Sequence, residues 1–251
     1  LTDSPEYRTI TQSIFIELFK NGSIIEDLRP NIYDPVEGTT IADAEVERLP
    51  RRTNLVDVKW TCEDGTTIEI STTRPELICA CGVVVVHPED KRYTHLVGKR
   101  IHLPMPVQGR ETSVEVMTHP SVKSDFGSGV LMVCSFGDQN DVAIFRELGL
   151  TPFQAINLEG KMTDLAGPFA GQTVLEARKN AIEHLDTQGL IINNVAREQE
   201  IPVSERGKNP VEIILLKEWY VRQTHAQDRI REHADAIDFH PPRNKQFLLD
   251  W

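Results

Sequence analysis

The sequence predicts an α+β fold in which a β-barrel-like core is surrounded by helices. Short β-branched segments separated by Gly and Pro fill residues 49–200, which favours a barrel or strongly bent sheet over a layered α/β fold. Segments with helical periodicity lie before, within and after this stretch. The chain has 251 residues, 39% hydrophobic and 26% charged, so it can bury a large core.

The first predicted element is a helix over residues 4–20, because Ser4 can cap it and Pro5 suits a first turn. A Pro-containing segment with little periodicity follows at residues 29–46. We therefore predict an N-terminal flank over residues 1–48.

Strands are predicted in the core where β-branched and aromatic residues alternate with polar ones or form short apolar runs. They lie at residues 56–60, 66–70, 83–86, 101–103, 113–117, 130–134 and 190–195. Helical spacing with a closing glycine predicts helices at 140–148 and 174–185.

The C-terminal flank is predicted to cover residues 201–251. It begins with a polar, Pro-containing stretch at 201–210, and helical periodicity predicts a final helix over residues 217–236.

Composition excludes several classes of protein. A net charge of −11 argues against broad, nonspecific nucleic-acid binding, but it leaves open a site that holds only the end of an RNA strand. No apolar stretch approaches the ~20 residues that span a bilayer, and no signal-peptide pattern opens the chain. We expect a cytoplasmic protein with no membrane partner.

The cysteines predict neither a disulfide framework nor a metal centre. Cys62, Cys79, Cys81 and Cys134 are few for this length, and no second Cys/His pair completes a tetrahedral site. We expect buried, reduced thiols and no bound metal.

A hydroxyl-rich loop follows the strand predicted at 66–70. Thr72, Thr73 and Arg74 offer two hydroxyls, backbone amides and a guanidinium, and the next residue, Pro75, favours an extended backbone before it. Such groups can orient a water molecule or stabilise negative charge on an ester oxygen. A hydrogen-bonded turn explains the same pattern.

A pair of carboxylates opens the helix predicted at 140–148. Asp138 and Asp141 are three residues apart and so lie on one side of a helix. The helix dipole is expected to keep them ionised, which provides a counter-charge for a ligand ammonium. Helix capping explains Asp138 equally well. Gly127-Ser128-Gly129, before a strand, allows either close backbone approach or a tight turn.

Together these segments resemble the editing domain inserted into the class I aminoacyl-tRNA synthetases for valine, isoleucine and leucine. The similarity is greatest to the valine type, because Arg-Pro-Glu follows the two threonines where isoleucine enzymes typically have Pro-Trp-Thr. The motifs that carry the resemblance lie in order at residues 5–8, 39–47, 72–76, 87–99, 125–129 and 137–141.

The resemblance implies post-transfer editing, in which the ester of mischarged threonyl-tRNA(Val) is hydrolysed. The implied partners are the 3′ end of tRNA(Val), a misacylated threonine and the rest of a synthetase. Five residues would be catalytic: Thr72, Thr73, Arg74, Asp138 and Asp141. Six would line the substrate pocket: Leu77, Gly127, Ser128, Gly129, Met132 and Cys134.

Within the resemblance, Asp141, helped by Asp138, would hold the α-ammonium. The two threonines would position the carbonyl and the attacking water, with Arg74 near the carbonyl or the terminal adenosine. No cofactor is implied. The ATP-binding signatures of the synthetic site are absent, so we expect a fragment that neither binds ATP nor charges tRNA.

Several positions depart from the bacterial pattern and make the chain more similar to archaeal enzymes. Leu77 and Cys134 each replace a Thr, Met132 replaces a Lys, and Phe136-Gly137-Asp138 replaces Ala-His-Asp. Where relatives have zinc-knuckle cysteines, this chain has Asp34, Glu37, Ser204 and Gly207, so we expect no zinc. Two alternatives stay open: an isoleucine-type domain that hydrolyses valyl-tRNA(Ile), and a non-catalytic module that only docks tRNA.

Overall fold

The computed structural model describes residues 3–125 and 127–250. Phe126, which lies within one of the motifs above, is outside the described residues. The described helices are α1 Pro5–Lys20, α2 Gln139–Glu147, α3 Val174–Thr187, α4 Gln227–Ala236 and α5 Asn244–Asp250. The strands are β1 Ile24–Asp34, β2 Thr39–Thr40, β3 Val46–Cys62, β4 Thr67–Thr72, β5 Cys81–Val86, β6 Arg100–His102, β7 Ser113–Thr118, β8 Val130–Cys134, β9 Ile191–Ser204 and β10 Glu212–Val221.

The chain forms two compact units. The larger unit is the continuous segment Pro30–Leu215, and the smaller unit is built from the chain before and after it, up to Arg29 and from Leu216. The predicted limits of the core domain, residues 49 and 200, stay a prediction, because a division into compact units does not test the limits of a functional domain.

The larger unit contains a curled, half-barrel sheet. Its strands follow the order β4-β3-β6-β7-β5-β8, and β9 also pairs with β3. The β5–β7 pair is parallel, and the other pairs are antiparallel. The two ends of this order, β4 and β8, approach each other in space. The prediction of an α+β fold with a barrel-like core is confirmed.

The long strand β3 organises this sheet. It pairs with β9 along most of its length and with β4 and β6 near its end, and its pairing with β9 shifts register between Asp57 and Val58. A register shift of this kind bends a strand and increases its twist, as a β-bulge does. Val56, Val58 and Trp60 are all buried, which confirms the alternation read from the sequence.

Helix α2 packs on the outer face of β5 and β8. Val83 and Val133 from these strands form an apolar cluster with Ile144 and Phe145 of the helix. A Cβ atom at Gly82 would lie 2.3 Å from the ring of Phe145, so only glycine permits this close approach. The packing fixes the N-terminus of α2 beside the end of β8.

The C-terminal flank corrects one sequence prediction. The helix predicted over residues 217–236 is wrong in its first part, because the chain continues as β10 to Val221 and α4 begins only at Gln227. The segment 29–46, whose sequence shows little periodicity, contains the end of β1 and all of β2. β2 pairs with β1, the strand just before it, and β10 pairs with β1 from a distant part of the sequence.

The four positions that the resemblance aligned with zinc-knuckle cysteines lie close together. Asp34 is fully buried, and its Oδ2 accepts hydrogen bonds from the Ser204 hydroxyl at 2.7 Å and the Asn209 amide at 3.1 Å. Its Oδ1 accepts from the backbone N–H of Glu37 at 3.1 Å. A Cβ atom at Gly207 would lie 2.5 Å from Glu37 Oε1. Hydrogen bonds centred on one carboxylate therefore join these loops.

The smaller unit begins with α1. The Ser4 hydroxyl caps this helix by accepting a hydrogen bond from the Tyr7 N–H, as predicted. Phe15 and Phe19 contact Trp219 of β10 edge-on, with ring centroids 5.6 and 5.8 Å apart. Across the described residues, every helix is too short or too polar to cross a bilayer.

Candidate functional site

The predicted hydroxyl loop lies directly after β4, at the curled edge of the sheet. Thr72 ends the strand, and its Oγ1 accepts a hydrogen bond from the Arg74 N–H at 3.0 Å. The Thr73 side chain is half-buried, and its hydroxyl has no hydrogen-bond partner within residues 3–125 and 127–250. A short, buried 3-10 helix, Pro75–Ala80, follows and holds the loop against the core.

An ion-pair network anchors this loop. Arg74 Nε donates to Glu76 Oε1 at 3.0 Å, and Arg74 Nη2 donates to Glu212 Oε2 at 2.9 Å. Arg178 of α3 contacts the same Glu76 carboxylate with two bonds, at 2.7 and 3.0 Å. The two arginines and two glutamates alternate in charge, so each buried carboxylate has a cation beside it.

These pairs decide the ionisation of the network. Burial by itself would raise the pKa of Glu76, but Arg74 and Arg178 outweigh it and hold the pKa below its usual value. Burial by itself would lower the pKa of Arg74, but Glu212 and Glu76 outweigh it and raise the pKa above its usual value. Both groups are therefore charged at neutral pH.

The network also changes the interpretation of Arg74. Sequence reasoning placed its guanidinium against the substrate carbonyl or adenosine. In the structure two of its nitrogens donate to carboxylates, so its main contacts hold the Thr72–Thr73 loop in place. Glu212 is 138 residues from Arg74, and Arg178 is 102 residues from Glu76. The local sequence therefore could not indicate either of these contacts.

The two aspartates occupy different environments at the start of α2. Asp138 is exposed and caps the helix, its Oδ1 accepting from the Asp141 N–H at 2.9 Å. Asp141 is only 8% exposed, and its Oδ2 accepts from the backbone N–H of Cys134 at 3.1 Å. The side chain thus points back from the helix to the end of β8.

Gly137 makes this orientation possible. A Cβ atom there would lie 2.2 Å from Asp141 Oδ2, closer than two such atoms can approach. The sequence showed only that a glycine stands where bacterial relatives have histidine. The structure gives the reason: the buried carboxyl occupies the space of the missing side chain.

Burial raises the pKa of Asp141 well above its usual value, and the neighbouring Asp138 adds to the effect. The hydrogen bond from Cys134 and the charge of Arg74 oppose the increase without cancelling it. The pKa of Asp141 is therefore shifted in the direction opposite to the one expected from the helix dipole. A carboxyl of this kind ionises readily only when a cation comes beside it.

Apolar predicted pocket residues lie next to this carboxyl. Cys134 contacts Asp141 through its backbone N–H, and its thiol donates to the Leu77 carbonyl oxygen at 3.2 Å. Burial raises the pKa of Cys134, so it is a neutral thiol. Leu77 and Cys134 line a cavity of about 10 Å³ together with Phe136 and Phe153. Met132 is buried two residues earlier on β8 and so shares the face of Cys134.

The glycine segment approaches the hydroxyl loop from the other side. Gly127 has φ +57°, and a Cβ atom there would lie 2.9 Å from the Ser71 hydroxyl oxygen, directly before Thr72. The Ser128 carbonyl oxygen accepts from the Tyr93 hydroxyl at 2.7 Å. Gly129 has φ +79° and lies against Arg92. The two sequence segments are thus neighbours in space, at the junction of β4 and β8.

Two further residues, both in contact with Phe153, carried no sequence signal. Arg110 lies in the loop between β6 and β7, and its guanidinium stacks 4.0 Å from the ring centroid of Phe153. Ser135 is buried, donates to the Ala80 carbonyl oxygen at 3.2 Å and accepts from the Phe153 N–H at 2.7 Å. Across the described residues, no three His, Cys, Asp or Glu side chains are placed to hold a metal ion.

Comparison with known proteins finds several archaeal valine–tRNA ligases that are similar to this chain. The chain is 40% identical to the valine–tRNA ligase of Aeropyrum pernix and 39% identical to that of Nanoarchaeum equitans, over its whole length in both cases. It is 37% identical to the enzyme of Methanocaldococcus jannaschii. The chain spans 30%, 33% and 28% of these three proteins, about a third of their length.

One solved structure resembles the fold distantly. A ternary LeuRS–tRNA–LeuAMS complex from Agrobacterium radiobacter K84 matches with a TM-score of 0.43 and 19% identity, over 85% of this chain and 34% of that one. A similarity at this level adds nothing to the assignment. The family model described as tRNA synthetases class I (I, L, M and V), however, matches residues 1–251. The chain therefore belongs to the class I tRNA synthetases of the isoleucine, leucine, methionine and valine group.

Proposed function

We propose that this chain is an editing domain of the valine type, which hydrolyses the ester of threonyl-tRNA(Val). One observation carries the proposal. A chain of contacts links the three segments: Asp141 accepts from the Cys134 N–H, the Cys134 thiol donates to the Leu77 carbonyl oxygen just after the Thr72–Thr73 loop, and Gly127 lies against Ser71 just before it. An acid for an ammonium and hydroxyls for an ester are the groups that an aminoacyl ester requires.

The need for such a site follows from the chemistry of valine and threonine. The two side chains are nearly isosteric, so a hydrophobic pocket built for valine rejects threonine by only about 10²-fold, a general figure for valine enzymes rather than one derived from this structure. A second, hydrolytic site removes the error. The valine–tRNA ligases among the relatives make this type of editing the first candidate.

In this mechanism Asp141 binds the α-ammonium of the misacylated amino acid. The ammonium stabilises the ionised carboxyl and so lowers the pKa that burial has raised. The resulting charge-assisted pair fixes the ester next to the hydroxyl loop. Because a proton and the ammonium compete for the same carboxylate, substrate binding should weaken as pH falls.

Hydrolysis then requires little from the protein beyond positioning. Water adds its oxygen to the ester carbonyl carbon, the bond to the ribose oxygen breaks, and that oxygen takes up a proton. The Thr73 hydroxyl, unpartnered in the described chain, orients the water, and Thr72 with nearby amides stabilises the oxyanion. The neighbouring ribose hydroxyl shares the proton transfer, and correct placement supplies most of the rate.

Asp141→Asn tests the proposal. Asparagine keeps an oxygen that can accept from Cys134 N–H but cannot carry the negative charge. We expect hydrolysis of threonyl-tRNA(Val) to fall by at least ~100-fold, as for loss of a charged partner, with unchanged circular dichroism. Asp228→Asn, which removes a first-turn carboxyl from α4, is the matched control and should leave the rate unchanged.

Two other functions give different results in the same assay. An isoleucine-type domain would hydrolyse valyl-tRNA(Ile) faster than threonyl-tRNA(Val). A module that only docks tRNA would bind both without hydrolysis and would be indifferent to Asp141→Asn. Either result overturns the proposal.

A further inference from the structure

We infer that Arg110 is a phosphate-binding residue, which holds a phosphodiester of the tRNA 3′ end at the edge of the editing pocket. This inference rests on the proposed function, because it names how the same site would grip its RNA substrate. It starts from a contrast among the arginines of the larger unit.

Arg110 is a cation without a carboxylate. Arg74, Arg92, Arg100 and Arg178 each lie within 4.0 Å of an acidic oxygen. Within residues 3–125 and 127–250, no Asp or Glu oxygen comes that close to Arg110. Arg48, Arg51, Arg52 and Arg146 of the same unit also have no acidic oxygen this close among the described residues, but all four are exposed, whereas Arg110 is half-buried.

The guanidinium of Arg110 is nevertheless held in one place. Its Nη1 donates to the Cys79 carbonyl oxygen at 3.1 Å, and its Nε donates to the Glu111 carbonyl oxygen at 3.2 Å. One face stacks on the ring of Phe153. These neutral contacts fix the position of the charge without neutralising it. A fixed, planar donor is well suited to a phosphate, because its conformational entropy is already reduced before binding.

The half-buried position makes the unpaired charge unfavourable. Burial lowers the pKa of Arg110, and the nearby thiols and Glu111 oppose that decrease only in part. A half-buried cation is stabilised most by an anion that arrives with the ligand. The unpaired charge of Arg110 is therefore one that an anionic group of a polyanionic substrate would neutralise.

The location of Arg110 joins it to the editing site. The Phe153 ring that it stacks on lines the same cavity as Leu77 and Cys134. The Cys134 N–H, in turn, donates to Asp141. An aminoacyl group held at Asp141 would thus place the adjoining nucleotides near Arg110. For an RNA ester, the anion within reach is a backbone phosphate.

The experiment compares esters that differ only in one phosphate. The substrates are threonyl-tRNA(Val), 3′-O-threonyl adenosine 5′-monophosphate and 3′-O-threonyl adenosine. The variants are Arg110→Met, which keeps much of the stem and removes the charge, and Arg110→Lys, which keeps the charge and loses the fork. Arg206→Met, at an exposed arginine paired with Glu45, is the control.

Arg110→Met should raise KM for threonyl-tRNA(Val) on the order of tenfold, with little change in kcat, because a phosphate contact contributes to binding and not to chemistry. Arg110→Lys should recover part of the loss. The logarithmic salt dependence of binding should become shallower by about 0.7, as for one lost phosphate contact on a single strand. The Arg206 control should match the wild type.

The small esters decide whether the contact is to phosphate. If it is to the 5′-phosphate of the terminal nucleotide, wild-type protein should show a lower KM for the 5′-monophosphate ester than for the unphosphorylated one. This comparison needs no variant and stands even if Arg110→Met fails to fold. The inference is overturned if Arg110→Met leaves both KM and salt dependence for threonyl-tRNA(Val) at wild-type values. It is overturned also if the variant impairs the tRNA ester and the unphosphorylated adenosine ester equally.

The proposed function fails separately. If wild-type protein hydrolyses none of the esters, editing is excluded, and the phosphate contact is then tested by binding of uncharged tRNA(Val). A weaker Kd for Arg110→Met than for Arg206→Met still supports the contact, and equal values overturn it.

Discussion

Two buried carboxyl groups in this chain, Glu76 and Asp141, are handled in opposite ways. The Glu76 side chain is 0% exposed and bound by two arginines, which hold its pKa below the usual value. Asp141 is 8% exposed and has one charge-neutral donor, the Cys134 N–H, and its pKa is raised. The cost of desolvation is thus offset differently at the two buried acids.

The difference separates a structural acid from a candidate binding acid. Glu76 has its counter-charges within the protein, so it stabilises the loop and has little capacity for a ligand cation. Asp141 lacks a fixed cation, so an incoming ammonium supplies the missing charge. Perturbed titratable groups in a cleft are good candidates for functional residues, and here the sign of the perturbation distinguishes the two roles.

The largest effect on stability is expected from Glu76→Ala. Removing this carboxylate leaves Arg74 and Arg178 facing each other in a partly buried site. Breaking a buried ion pair by removing one partner typically costs about 3–5 kcal/mol of unfolding free energy. Urea denaturation followed by circular dichroism measures the change.

Glu47→Ala is the matched control for this measurement. Glu47 pairs with Lys208, but both side chains are more than a third exposed, at 42% and 45%. A surface pair of this type contributes about 0–1 kcal/mol. Equal destabilisation by the two variants would contradict the assignment of Glu76 as a buried anchor.

A smaller effect is expected from Gly137→Ala. The added methyl group would collide with Asp141 Oδ2, so the carboxyl must turn away and leave the Cys134 N–H unpaired. An unsatisfied buried donor costs about 1–3 kcal/mol. The variant should also lose hydrolysis of threonyl-tRNA(Val), because the acid is displaced.

A double-mutant cycle isolates the cause. In an Asp141→Ala background there is no carboxyl for the new methyl group to displace, so Gly137→Ala should be far less harmful there. Additive losses in the double variant would show that Gly137 acts on the backbone and not through Asp141.

The contrast between the two acids also marks how far the sequence can be interpreted. The strand alternation at Val56, Val58 and Trp60 and the cap at Ser4 are local signals, and the structure confirms both. The last residues of β10, from 217 to 221, were predicted as helix. Pairing with β1, from the other end of the chain, decides in favour of the strand.

The candidate site shows the same division between local and distant signals. The loop at Thr72 and the aspartates were found in the sequence by their hydroxyls, charges and order. The pairing of Glu76 with Arg178 and the half-buried setting of Arg110 depend on contacts between distant segments, so no local pattern indicated them. The direction of the Asp141 pKa shift could not be read from the sequence, because the helix dipole is a local effect, whereas burial is set by the surrounding fold.

The smallest and most discriminating expectation concerns pH. Asp141 has a raised folded-state pKa, so the folded chain binds more protons than the unfolded chain above about pH 3.9, and stability falls as pH rises through that window. Glu76 has a lowered pKa, so its contribution is present above about pH 4.3 and is lost as pH falls through the folded-state value. The slope for one group is at most about 1.4 kcal/mol per pH unit. Relative to Asp141→Asn, wild-type protein should therefore gain unfolding free energy on acidification, and relative to Glu76→Gln it should lose it. Denaturation of the three proteins across pH 3–8 measures both differences. If the two differences had slopes of the same sign, the two acids would not be opposites, and Asp141 would already be paired with a cation within the fold.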